Sequence, residues 1–168
     1  MAWGNIGLKK KGMVGLKGTE EGNEKKEQPF TCFLIDDDTD DQEIFMTVIE
    51  EINPGIACVT AGNGEEAIDK LSQQQFKPDL IFLDLNMPLM NGQQFLEATQ
   101  NCRKEIPVIV LTTSSDQATI DATFSLGASD YITKPDKFSE WRNIIREKIN
   151  NWIKYGGSYA NSPESPNT

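Results

Sequence analysis

Five short apolar runs, each followed by a polar-capped segment of helical periodicity, constrain this chain more than any other feature. The runs are residues 30–35, 56–61, 79–84, 107–112 and 128–133. Strands this apolar have no polar face to show to water, so they belong in a sheet covered on both sides. Between them lie helix-start patterns: Thr39-x-x-Gln42, Asn63-x-x-Glu66, Asn91-x-x-Gln94 and Ser114-x-x-Gln117. Behind those starts, apolar residues recur at helical spacing. Ile44, Phe45, Val48, Ile49 and Ile52 make one stripe, Ala67, Ile68 and Leu71 a second, and Phe95, Leu96 and Ala98 a third. The segment before residue 128 is predicted helical up to Gly127. A last helix is predicted from about Phe138 to Lys154, with Trp141, Ile144, Ile145, Ile149, Trp152 and Ile153 on its inner face. Strict β–α alternation implies an α/β fold, a (βα)5 doubly wound parallel sheet, because crossovers between parallel strands are right-handed.

The apolar runs end in chemistry. Asp36-Asp37-Asp38 follows the first, Asp84 closes the third, Thr112 closes the fourth and Lys134-Pro135 follows the fifth. In an open parallel sheet these carboxyl ends share one edge, where ligands bind at the point of topological reversal. No glycine-rich phosphate loop follows the first run. Carboxylates gathered at one edge repel one another unless a cation neutralises them. A hard divalent ion such as magnesium suits an all-oxygen set. Asp37 and Asp84 are the predicted direct ligands, Asp36 a ligand through water, and the backbone carbonyl of Asn86 lies within reach. Asp38 is expected beyond the strand end and exposed. A carboxylate beside a divalent ion and a lysine can act as a nucleophile on phosphorus. Thr112 can donate to a phosphoryl oxygen and Lys134 can neutralise it.

Bulk properties bound the remaining choices. The 168 residues suit one domain with tails: 1–28, rich in Gly, Lys and Glu; a domain at 29–155; and 156–168, with Gly156-Gly157 and two Ser/Pro pairs. Both tails are expected to be flexible. Lys9-Lys10-Lys11 is read as part of a solvated tail, and Met13 is an alternative start. Nothing after Lys154 is expected to fold into an output domain. The net charge of −10 argues against generic binding to nucleic acid. No apolar stretch reaches the roughly 20 residues of a membrane span, and no signal peptide is evident, so a cytoplasmic location is expected. Cys32, Cys58 and Cys102 are scattered and are expected to be buried reduced thiols. The chain contains no histidine, which excludes imidazole metal sites, Ser-His-Asp triads and phosphohistidine formation on this chain.

Taken together, Asp36-Asp37, Asp84-x-x-Met87-Pro88, Thr112 and Lys134-Pro135 resemble the receiver domain of bacterial two-component response regulators, over about residues 30–154. The resemblance implies a flavodoxin-like fold with strand order 2-1-3-4-5. It implies a phosphoryl acceptor at Asp84, served by a histidine kinase or phosphotransfer protein, with Mg2+ on Asp37, Asp84 and the Asn86 carbonyl. Thr112 becomes the switch threonine, Lys134 the phosphate contact and Tyr131 the switch aromatic. Lys134–Pro135 is often cis in the family. The fourth helix, fifth strand and fifth helix form the usual output face, for a downstream protein the sequence does not name. A phosphorylation-linked homodimer is among the assemblies expected. Such a domain catalyses only its own phosphorylation and slow dephosphorylation. Thr113 is bulkier than the Ala, Gly or Ser usual at its position, and Asn86 and Ser114 match variable positions.

Two other functions fit parts of the pattern. An aspartyl phosphohydrolase of the haloacid-dehalogenase type uses Asp-x-Asp, but here Asn86 occupies the third position and cannot act as a general acid. A phosphorylation-independent interaction module fits less well, since every acceptor-site residue is present.

Overall fold

The computed structural model describes residues 29–103 and 105–155. The elements alternate strictly. They are β1 (Thr31–Ile35), α1 (Thr39–Ile52), β2 (Ala57–Ala61), α2 (Gly64–Ser72), β3 (Leu80–Asp84), α3 (Gly92–Thr99), β4 (Val108–Thr112), α4 (Gln117–Ser125), β5 (Asp130–Thr133) and α5 (Phe138–Tyr155). The five strands form one parallel sheet in the order β2-β1-β3-β4-β5, as expected.

Alternation along each strand divides the core in two. Cys32, Leu34, Leu80, Phe82, Ile109 and Leu111 face α1 and α5, against Phe45, Val48, Ile49, Trp141, Ile145 and Ile149. Phe33, Ile35, Ile81, Leu83, Val108 and Val110 face the other layer, against Ala67, Phe95 and Leu96 of α2 and α3. β3 and β4 are buried along their whole length, which explains their unbroken apolar character. The rings of Phe45 and Phe82 meet edge to face with centroids 4.8 Å apart. That contact seats α1 on the central strand. Burying a phenylalanine of this kind stabilises by roughly 1.5–3 kcal/mol.

Several expected boundaries move, each for a local reason. α1 is capped by Asp38, whose carboxylate accepts from the amides of Asp40 and Asp41. Gln42, expected to close a capping box with Thr39, instead donates to the Asp36 carbonyl at 2.6 Å. α4 is capped by Asp116 and not Ser114, because the Ser114 hydroxyl is occupied in a turn, accepting from the Asp116 amide. The expected reciprocal box forms at Asn91 and Gln94. At α2, Asn63 accepts from Glu66 N–H, while the Glu66 carboxylate goes to Gly62 N–H. β2 and β5 begin one and two residues later than expected.

Side-chain placement brings further corrections. Trp141 and Trp152 are buried in the core, but Ile153 is 46% exposed: the helical stripe runs past the sheet at its end. Cys32 is buried as expected, whereas Cys58 is half-buried and Cys102 exposed. No peptide bond is cis among the described residues, so Lys134–Pro135 is trans; trans is the intrinsically favoured isomer by about 0.5–1 kcal/mol. α4 is the most lightly anchored helix, with Thr123 buried and Phe124 exposed. No helix among the described residues is long and apolar enough to cross a membrane. The expected tails and Lys9-Lys10-Lys11 lie outside the described residues.

Candidate functional site: an acidic cluster and a lysine at the carboxyl edge of the sheet

Strand register assembles the site. Ile35 pairs with Leu83, so Asp36 and Asp84 stand side by side just past that pair. Asp84 pairs with Leu111, which puts Thr112 one step further out. Thr112 pairs with Thr133, and the Lys134 amide donates to the Thr112 carbonyl at 2.7 Å. Four residues, Asp36, Asp84, Thr112 and Lys134, therefore reach one edge through backbone pairing alone.

The carboxylates of Asp36, Asp37 and Asp84 place an oxygen each within 4.8 Å of one another. Asp36 and Asp84 are buried and Asp37 is exposed. Hard oxygen donors at this spacing fit a magnesium-sized ion that keeps part of its water shell. Asn86 lines a cavity of about 260 Å³ beside them, with Leu85, Asn91, Gln93, Thr112, Ser114 and Thr119. A larger cavity, about 650 Å³, lies elsewhere, bordered by Phe30, Asp79, Arg103, Pro107 and Trp152 at the opposite edge. The cluster of Asp36, Asp37 and Asp84 is not there.

Lys134 is the cation of the site. Its Nζ donates to Asp36 Oδ2 at 2.7 Å and to Asp41 Oδ2 at 2.8 Å, and stands 3.8 Å from Asp84 Oδ1. One ammonium facing several carboxylates explains how the site titrates. Burial pushes Asp36 up to about 6, against the lowering effect of Lys134 and the Asp38 N–H. Burial likewise raises Asp84, opposed by Lys134 and by the amides of Asn86 and Leu85. For Lys134, burial works downward, but Asp36, Asp41 and Asp84 outweigh it and hold the ammonium above its ordinary range. One lysine leaves the acids under-neutralised, which is the condition that favours a bound divalent cation.

The loop after β3 is built around the same residues. Gly92 N–H donates to the Leu85 carbonyl. A Cβ on Gly92 would stand 2.4 Å from the Asp84 carbonyl oxygen and 2.8 Å from Leu85 Cα, so only glycine fits there. Leu89, 76% exposed, adopts φ 65°, an uncommon conformation for a residue with a Cβ.

Thr112 is fully buried, and its hydroxyl accepts from the Ser114 amide at 3.1 Å. Tyr131 is half-buried, and its hydroxyl donates to the Ser114 carbonyl. Desolvation raises the Tyr131 phenol, with the Thr112 hydroxyl opposing it. Thr112, Ser114 and Tyr131 thus form one connected group leading away from Asp84. Thr113 is exposed.

Every residue expected at the site is at this edge. Asp41 was not expected: within the first turn of α1 it reads as an acid placed for the helix dipole. Arg103 was also missed. It is buried, bonds the Thr99 hydroxyl, and caps the end of α4 by donating to the Leu126 and Gly127 carbonyls. No local pattern announces either role.

Comparisons with known proteins agree with this fold. The sequence matches the response regulator receiver domain family over residues 32–146. It is 36% identical over 114 residues to the probable C4-dicarboxylate response regulator DctR of Bacillus subtilis, covering 68% of this chain and 50% of that protein. It is 34% identical over 119 residues to the transcriptional regulatory protein CrdR of Helicobacter pylori, covering 70% and 54%. The chain thus spans about half the length of these curated relatives. Among solved structures, the phosphorylated cyanobacterial phytochrome response regulator RcpA superposes with a TM-score of 0.69 at 29% identity, over 80% of this chain and 98% of that one. The Mn(2+)-bound form of response regulator Rcp1 shares the fold, with a TM-score of 0.67 at 24% identity, over 81% and 100%. On this evidence the chain belongs to the response regulator receiver domain family, the receiver module of two-component signalling.

Proposed function

We propose that Asp84 is a phosphoryl acceptor, and that its modification switches a partner-binding face. The observation that carries this reading is the placement of Lys134 Nζ, 3.8 Å from Asp84 Oδ1, at the rim of a three-carboxylate cluster. An Asp84 carboxylate oxygen attacks the phosphorus of a phosphohistidine on a kinase or phosphotransfer protein. The O–P bond forms, the N–P bond breaks, and the imidazole leaves with the electron pair. The donor histidine comes from the partner, because this chain has none. Asp37, Asp84 and the Asn86 carbonyl would hold Mg2+, with Asp36 beside them. The ion supplies positive charge to the transferring phosphoryl group.

The remaining steps belong to the chain's own residues. Lys134 donates to one phosphoryl oxygen and Thr112 to another. For Thr112 to turn inward, its hydroxyl must leave the Ser114 amide. That loosens the turn to which Tyr131 is bonded and frees the tyrosine to change its position. α4, lightly anchored, is the element best able to respond. Phosphorylation then shifts a population between two arrangements of the face formed by α4, β5 and α5. The reading places the protein in the cytoplasm with a downstream protein partner. It needs no nucleic acid, in keeping with the net charge of −10. Catalysis is confined to the domain's own phosphorylation and slow dephosphorylation.

Beryllofluoride with Mg2+ tests the reading. Wild type should show a saturable change in Tyr131 environment by NMR, and Asp84→Asn should show none. A wild type that does not respond, or an Asp84→Asn variant that responds equally, overturns it.

A further inference from the structure

Lys134 hydrogen-bonds two carboxylates, and one of them, Asp41, lies outside the acidic cluster. An ammonium has three N–H donors. Asp36 Oδ2 takes one at 2.7 Å and Asp41 Oδ2 takes a second at 2.8 Å. Asp84 Oδ1, at 3.8 Å, is too far to take the third. That gap is where an oxygen of a phosphoryl group on Asp84 would enter.

The two partners are held differently. Asp36 is almost fully buried at the end of β1 and shares the acidic cluster with Asp37 and Asp84. An ion in that cluster competes for its oxygens. Asp41 stands outside the cluster, in the first turn of α1, with its side chain 27% exposed. Its backbone is fixed: the Asp41 amide reaches the Asp38 cap, and α1 is seated on β3 through Phe45 and Phe82. An ion in the cluster would draw on Asp36 but not on Asp41.

We propose that Asp41 is a positioning residue for Lys134. By fixing one N–H from the α1 side, it restricts the flexible lysine stem to the arrangement in which the remaining donor faces the phosphoryl group. The inference rests on Asp84 being the acceptor.

Beryllofluoride affinity at saturating Mg2+ tests the inference in a cycle of wild type, Asp41→Asn, Lys134→Ala and the double variant. Asp41→Asn should weaken binding about fivefold in the Lys134 background, the size of effect a partly exposed charged pair produces, and should change nothing once Lys134 is absent. Equal affinity of Asp41→Asn and wild type overturns the proposal. So does tighter binding by Asp41→Asn, which would make Asp41 a competitor. So does an equal loss in both backgrounds, which would mean that Asp41 acts through something other than Lys134. Failure of wild type to bind beryllofluoride at all would instead remove the acceptor assignment. Asp41→Ala, checked for folding by thermal denaturation, should show the same pattern.

Discussion

Neutralising one buried acid of the cluster should make the metal-free protein more stable, and Asp36→Asn is the sharpest form of that prediction. Asp36 has an ordinary value of 3.8 and is pushed to about 6 in the fold, burial outweighing Lys134. The sign follows from linkage. A carboxyl whose folded value is raised contributes stability that is fully present below 3.8 and is lost as pH rises through about 6. Above pH 7 the ionised group therefore costs the fold up to ~3 kcal/mol relative to its neutral form. Asparagine mimics the neutral form at every pH. It cannot match the charged bond to Lys134, but that attraction is already included in the value near 6. The expected gain is ~1–3 kcal/mol at pH 7.5, or a Tm increase of roughly 4–10 °C for a domain of this size. The assay is reversible thermal unfolding in chelator between pH 4.5 and 8. Wild type should lose stability across that range by more than Asp36→Asn does. Adding Mg2+ should narrow the gap, since a ligand at a hundredfold its Kd stabilises by ~2.7 kcal/mol and the variant, having lost one acid beside the ion, binds it more weakly. An Asp36→Asn variant less stable than wild type in chelator at pH 7.5 would show that Lys134 fully compensates the cluster, and the electrostatic account would be wrong.

Three further perturbations probe separate parts of the site. Gly92→Ala forces a methyl group against the Asp84 carbonyl and Leu85 Cα, so it should cost ~2–3 kcal/mol in urea unfolding and slow phosphorylation of Asp84; a better helix former at that position returns only ~1 kcal/mol. Thr112→Ala should still bind beryllofluoride, weakened by no more than about tenfold, while the Tyr131 response seen by NMR disappears. Tyr131→Phe removes the bond to the Ser114 carbonyl and should cost ~0.5–1.5 kcal/mol of stability, measured by urea unfolding, without abolishing phosphorylation.

How much of this could be read before the fold was known depends on whether the determining contact is local. The strands were legible because β3 and β4 are buried on both faces and carry no competing pattern. The carboxylate cluster was legible because its members sit at strand ends, and strand ends in a parallel sheet share an edge. Helix starts were displaced where two residues could cap: Asp38 won over Thr39, and Asp116 over Ser114, through side-chain geometry that spacing does not encode. Asp41 was invisible because its partner lies 93 residues away and its own surroundings read as an ordinary helix start. Arg103 was invisible for the same reason, since its acceptors at Leu126 and Gly127 are brought to it only by the crossover through β4 and α4. Ile153 followed the periodicity of its helix faithfully, yet that periodicity does not say where the sheet ends.

The central claim is that Asp84 carries the phosphoryl group. Incubation with acetyl phosphate and Mg2+, followed by borohydride reduction and peptide mapping, tests it at the level of the atom. An acyl phosphate at Asp84 is reduced to homoserine at that one position, dependent on Mg2+ and absent from Asp84→Asn. Homoserine at Asp36 or Asp37, or no reducible acyl phosphate anywhere in the wild-type chain, would contradict the account.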